Sequence, residues 1–271
     1  MAETYHRPNR PLAVYALAFT LFLYIPILLI PLFSFNSGLY PRFPLEGFTF
    51  NWYAELWGRG PVFDALKNSL QVGVAVAVIS TVLAVPAAKA ISRYRLPGKG
   101  PITGFMMLPL VVPGLVFGVA LLVVISRLGV QLSLFTVGIG HVIICLPFAI
   151  SILLPRFEGF NRSLEEASAD LGENAWWTFW RVTFPAILPG VVASLLLTFT
   201  VSFDEFIMAF FLSGTDPTLP MYIWTQLRFP QNFPSLLALS SLILVLSFAL
   251  VFLSLWLSRI GRVAPTTPGA R

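Results

Sequence analysis

Charge is scarce in this sequence. Asp, Glu, Lys and Arg supply 11% of its 271 residues, where a soluble domain carries roughly 25%. Hydrophobic residues reach 57% and the mean hydropathy is +0.83. A soluble globular domain is thereby excluded and a polytopic membrane protein predicted. Cysteine is reduced to Cys145, which sits in an apolar run; no disulfide can form within the chain, and the thiol reads as buried and inert. Histidine is limited to His6 and His141, too far apart in the chain to suggest a metal site. No Gly-x-x-x-x-Gly-Lys-Ser/Thr run occurs, so the chain has no such phosphate loop of its own. Neither a clustered nucleophile–base pair nor a metal set marks the apolar stretches, which argues against a membrane enzyme. No cofactor is expected. The net charge of +5 comes mostly from basic residues flanking apolar segments, so nucleic acid is not an expected partner. Arg7 and Arg10 precede an apolar stretch longer than a signal core, with no small-residue cleavage site after it; no removable secretory peptide is expected.

Six apolar stretches are present, near 11–34, 68–92, 101–126, 132–154, 187–212 and 236–258. About 20 helical residues cross a hydrocarbon core, and lipid offers no partner to an open backbone, so each is predicted to be a helix. The expected fold is therefore all-α, with six transmembrane helices. A cytoplasmic tail at 1–10 would precede a membrane domain over 11–260, and a second tail would follow at 261–271. Pro26, Pro31, Pro86, Pro109, Pro113 and Pro147 fall inside the stretches; each either bends its helix or is simply tolerated there. No internal repeat is evident, which argues against an ion-coupled carrier built from two related halves.

Lys and Arg give the orientation. With the N-terminus inside, Arg7, Arg10, Lys89, Arg93, Arg95, Lys99, Arg156, Arg162, Arg181, Arg259, Arg262 and Arg271 are internal, and Arg42, Arg59, Lys67, Arg127 and Arg228 external. The bias places both termini and the loop 155–186 in the cytoplasm. Outside, Trp52, Tyr53 and Trp57 suit a short helix at the interface, and 220–229 a second amphipathic piece. Asn68 and Gln71 either end the second span or line a path. His141, inside the fourth, reads as an interhelical hydrogen-bonding residue rather than a ligand or proton relay.

The loop 155–186 interrupts the apolar sequence with Ser163-Leu164-Glu165-Glu166-Ala167-Ser168-Ala169-Asp170-Leu171-Gly172. Ser163 and Glu166 have the spacing of a capping box, and Gly172 suits the left-handed residue that stops a helix. A helix of about two turns is predicted. Leu164, Ala167, Ser168 and Leu171 form a weakly apolar stripe, with Glu165, Glu166 and Asp170 on the other faces. Asn174 is expected to cap a second helix carrying Trp176, Trp177, Phe179 and Trp180, as core packing or as an interfacial anchor rather than a ligand box. The fifth span holds Ser202-Phe203-Asp204-Glu205. A carboxylate in the middle of a span costs about 2.5–3.5 kcal/mol, so it normally faces a cavity or a partner. Asp204 and Glu205 are either hydrated at the outer end of the span or turned toward a cationic solute.

Glu166-Ala167-Ser168, three residues, Gly172, nine residues, then Val182-Thr183-Phe184-Pro185 resembles the signature of binding-protein-dependent ABC transporter permeases. That signature runs Glu-Ala-Ala, three residues, Gly, nine residues, Ile-x-Leu-Pro. Here Ser168, Val182 and Phe184 replace Ala, Ile and Leu, and the spacing holds. The phrase from Phe48 to Tyr53, the Ser202–Glu205 run and the chain from Ala238 onward look like the spermidine/putrescine permease branch. Permeases for opines, amino-acid-like or phosphonate compounds resemble it closely too. The resemblance implies a type I permease fold in a bacterial inner membrane. It also implies a second permease subunit, two ATP-binding subunits and an external solute-binding protein as partners. Ser163–Gly172 would then be the coupling helix docking on the ATPase, with Ser202, Asp204 and Glu205 along the path of a small-molecule substrate.

Overall fold

The computed structural model describes residues 10–260. The tails expected at 1–10 and 261–271 lie outside them, apart from Arg10, which opens the first helix. In chain order, α1 (Arg10–Ser34) is followed by α2 (Asn51–Trp57), α3 (Gly60–Arg93), α4 (Lys99–Met107), α5 (Gly114–Arg127) and α6 (Leu134–Glu158). Then come α7 (Ser163–Asp170), α8 (Ala175–Thr178), α9 (Phe184–Asp204), α10 (Ile207–Leu212), α11 (Leu219–Gln226) and α12 (Phe233–Ile260). A π turn, Phe179–Thr183, splices α8 onto α9. The isolated bridge Asn36–Phe48 is the one β pairing among the described residues.

The predicted all-α membrane architecture is thus the observed one. Five helical stretches are long and apolar enough to cross a membrane, and a sixth is if α4 and α5 form one span. Its two halves meet at 98°. The cause is local: Pro109 and Pro113 each remove a backbone donor. Leu108–Leu110 tightens into a 3-10 turn, and Pro113 (φ −54, ψ 128) leaves the helical region before α5 starts. Pro26, Pro31, Pro86 and Pro147 lie inside continuous helices. The second span begins at Gly60 rather than 68, because Val62 and Ala65 find buried positions and draw the preceding turns into the helix. The fifth does not run unbroken to 212. It stops at Asp204, and Glu205 (φ −74, ψ 108) is extended before α10.

The chain divides into two compact units. The described residues up to Gly60, with Ile223–Ile260, form one, in which α1 and α2 pack against α12. Within it Glu55 accepts hydrogen bonds from Arg59 Nη2 at 2.5 Å and Ser235 Oγ at 3.1 Å. The hydrogen-bonded Arg59 guanidinium holds the Glu55 carboxyl below the usual carboxylate range.

Pro61–Tyr222 form the other. Here α6 lies along α9 and meets it through residues four apart. Gly190, Ser194, Thr198 and Ser202 are buried on α9; His141, Cys145, Ala149, Leu153 and Phe157 are buried on α6. Small side chains let two backbones approach closely in lipid, where burial of apolar surface gives little drive. One cluster joins Ala84, Ala88 and Ile91 of α3 to Ile150, Phe157 and Ile187; a second gathers Val76, Ile125, Val137, Met208 and Leu212. Thr81 Oγ1 and Ser194 Oγ, 2.9 Å apart, tie α3 to α9.

Two glycines with positive φ differ in their surroundings. At Gly214 (φ +63) a Cβ would lie 2.3 Å from the Leu132 carbonyl oxygen; at Gly172 (φ +88) it would meet nothing within 4 Å. Gly172→Ala is expected to cost about 1 kcal/mol and Gly214→Ala about 3 kcal/mol, since a steric clash adds to the strain. Thermal unfolding of the detergent-solubilised protein measures both; equal midpoints would contradict the assignment.

Candidate functional site: a loop helix and a broken span

The helix α7 forms where the loop sequence predicts it, with Gly172 in the left-handed region beyond its end. Its start differs from expectation. Asn161 Oδ1, not Ser163, does the capping: it accepts the Ser163 amide at 3.1 Å and the Ser163 hydroxyl at 2.6 Å. The Ser163–Glu166 capping box therefore does not form. Arg162 already has helical angles, which moves Ser163 one position into the helix. Glu166 instead pairs with Arg162 one turn back, Oε1 to Nε 3.1 Å, both side chains more than 60% exposed.

Glu165 does not sit with Glu166 and Asp170 on an outer face. Its Oε1 accepts the Thr183 hydroxyl at 2.7 Å and lies 3.8 Å from Lys89 Nζ; its Oε2 lies 3.2 Å from Arg93 Nε. Ser168, one turn on, is buried and shares a hydrogen bond of 3.0 Å with Thr178. The face of α7 turned inward is thus Glu165–Ser168. Leu164, Glu166, Ala167, Asp170 and Leu171 remain exposed, Leu171 at 87%.

Asn174 caps α8 as predicted, accepting the amides of Trp176 and Trp177. Trp176, Trp177 and Trp180 are exposed, so they are not packed as a core under the loop. Trp176 and Trp180 meet edge to face, and Arg181, paired with Glu173, lies over Trp177.

At the other end of α9 the three predicted residues part company. Ser202 is buried, and its hydroxyl stands 2.8 Å from His141 Nδ1. His141 is therefore the interhelical residue expected. Glu205 Oε1 accepts the amides of Ile207 at 2.8 Å and Met208 at 3.2 Å, filling the open donors at the start of α10. Asp204 is exposed, with no side-chain hydrogen bond or ion pair among the described residues. It stands at the C-terminal end of α9, where the last free carbonyls concentrate partial negative charge.

The segment α10 packs on α5. A Cβ on Gly118 would come 2.7 Å from Phe211, and one on Gly114 3.4 Å from Ile207. The break before α5 and the break before α10 therefore lie side by side. In membrane proteins such interrupted helices are tolerated where they line a cavity, and their ends bind polar solutes. Asn68 donates to the Pro217 carbonyl at 3.0 Å, whereas Gln71 lines an apolar groove of about 450 Å³ between α3 and α6.

A family profile described as "Binding-protein-dependent transport system inner membrane component" matches residues 80–260. That range takes in α7, the π turn and both helix breaks. The chain belongs to this family. It is a multi-pass permease subunit of an ABC importer. Among its relatives, the spermidine/putrescine transport system permease protein PotC of Escherichia coli (strain K12) is 32% identical over 250 residues, 91% of each chain. The putrescine transport system permease protein PotI of the same strain is 31% identical over 241 residues, 86% of this chain and 85% of its own. The solved structure of a bacterial ABC transporter involved in the import of the acidic polysaccharide alginate shares the fold. It has a TM-score of 0.72 and 20% identity, covering 92% of this chain and 98% of that one.

In this permease the contacts of Glu165 were not legible from the chain. Lys89 and Arg93 are one turn apart at the end of a span, which is a signal, but they read only as inside charges. Thr183 gave none. The His141–Ser202 pair is testable. Ser202→Ala would leave a buried ring nitrogen without its partner and is expected to cost about 1–3 kcal/mol. His141→Leu added to it is expected to recover part of that loss. Thermal unfolding of the single and double variants reads the coupling, and strictly additive losses would refute it.

Proposed function

We propose that this permease subunit forms half of a path for a small organic cation, of the spermidine or putrescine type, through an ATP-driven importer. The carrying observation is Asp204. It is a carboxylate on the C-terminal end of an interrupted membrane helix, unpaired within the described chain and beside a second interrupted helix. Both its charge and the helix dipole favour a cation there. Glu205 adds negative charge while holding the break open by capping α10, and Ser202, one turn before it, is buried against His141. The names of the polyamine permeases to which the chain is similar support the same substrate class.

On this reading the partners are a second permease subunit, two ATP-binding subunits and an external solute-binding protein, in a bacterial inner membrane. The distribution of Lys and Arg supports cytoplasmic termini and a cytoplasmic α7. Ser163–Gly172 is then the docking element. Its outward residues Leu164, Glu166, Ala167, Asp170 and Leu171 are available to an ATP-binding subunit, and closure of the ATPases rocks the spans between inward and outward access.

Uptake of labelled spermidine and putrescine, in cells without other polyamine importers, tests the path. Asp204→Asn is expected to lower uptake ten- to a hundredfold, the loss of one charge-assisted contact of about 1.5–3 kcal/mol. Normal uptake by Asp204→Asn combined with Glu205→Gln would sink the cation reading. Docking has its own test. Gly172→Asp and Glu166→Lys are expected to abolish uptake while the protein still reaches the membrane. A side chain at 172 meets nothing in this chain, and its left-handed strain of about 1 kcal/mol is too small to abolish uptake, so a complete loss would arise at a partner. Wild-type rates in both variants would remove α7 from the coupling.

A further inference from the structure

We infer that Glu165 is the positioning residue that fastens α7 to two spans at once, so that a displacement of α7 moves the end of α3 and the start of α9 together. The inference rests on the reading of α7 as the docking element and names the joint through which that element would act.

The geometry singles out this side chain. One carboxylate oxygen takes the Thr183 hydroxyl, at the junction of the π turn with α9, and stands near Lys89; the other faces Arg93, in the last turn of α3. Both cations are held from behind. Lys89 Nζ lies 5.1 Å over the Phe179 ring, and Arg93 lies 5.5 Å over Phe160 while donating to the Phe160 carbonyl at 2.9 Å. The Glu165 and Arg93 side chains are only 16% and 13% exposed, so water and salt screen them far less than the surface pair Arg162–Glu166.

Among the described residues, the other side-chain joint from α7 toward the spans is the neutral Ser168–Thr178 hydroxyl pair. Hydrogen bonds with an ionised partner are about twice as strong as neutral ones. The π turn adds to the argument. Such turns are rare and recur at functional sites, where the extra residue resets the facing of the side chains beyond it. Here it ends on Thr183, which is fully buried and points its hydroxyl at Glu165. One carboxylate held between two helix ends couples the movement of the one to that of the other.

The test uses the whole transporter in proteoliposomes, reading ATP hydrolysed per molecule of labelled putrescine imported. Glu165→Gln and Arg93→Gln are each expected to raise that ratio at least fivefold, with the subunits still co-purifying. The double variant is expected to do no more than the larger single one, because both remove the same joint. Thr183→Val, which removes only the hydroxyl, should raise the ratio by less, and serves if the charge variants fail to assemble. An unchanged ratio, a proportionate fall of hydrolysis and uptake, or effects that multiply in the double variant would each overturn the inference. A cysteine placed by Leu171→Cys separates the two readings. If it forms no cross-link to the ATP-binding subunit, the docking reading falls and Glu165 with it. If it cross-links while Glu165→Gln keeps the wild-type ratio, only the joint is refuted.

Discussion

Everything in the larger unit depends on the close approach of α6 and α9. In lipid an apolar side chain gains little by leaving one greasy surroundings for another, so helices associate through fit and hydrogen bonds. The α9 face supplies fit: Gly190, Ser194, Thr198 and Ser202 recur every fourth residue and are all buried. The hydroxyls do not stay idle. Ser194 meets Thr81 of α3, Thr198 bonds back to the Ser194 carbonyl, and Ser202 meets His141 of α6. One stripe thereby sets three helices against each other.

Each of the two ends of α9 is irregular. At one end a π turn brings Thr183 to the loop helix; at the other the helix stops and Glu205 opens a new one. Glu205 accepts two amides that a continuous helix would have satisfied itself. A membrane helix can be interrupted only if its freed backbone groups find partners. The carboxylate at 205 is therefore first a structural group, and its neighbour Asp204 is the one left exposed, without a side-chain partner among the described residues. Adjacent acidic residues of equal appearance in the chain thus hold different posts.

The loop helix divides its own acidic pair in the same manner. Glu165 and Glu166 are neighbours in sequence, about 100° apart on a helix. One turns to Lys89, Arg93 and Thr183, the other to Arg162 and the surroundings. Asn161 takes the capping role because its side-chain oxygen accepts the Ser163 amide and hydroxyl together, and because Arg162 is already helical, which puts Ser163 inside the helix rather than ahead of it.

The chain alone determined the features that local chemistry dictates. Long apolar stretches, a deficit of charge and the lipid's refusal of open backbone made it an all-α membrane protein. Gly172 and Asn174 marked the end of α7 and the start of α8, because left-handed backbone and an amide-accepting side chain are properties of single residues. The spacing from Glu166 to Pro185 pointed to the transporter family. Only the tertiary structure decided where the fifth span breaks, and which of two adjacent carboxylates is spent on the protein itself. Those outcomes turn on partners far along the chain: Ser202 on His141, Glu165 on Arg93, α10 on α5. Periodicity records which face is greasy, but it carries no record of what lies across from that face.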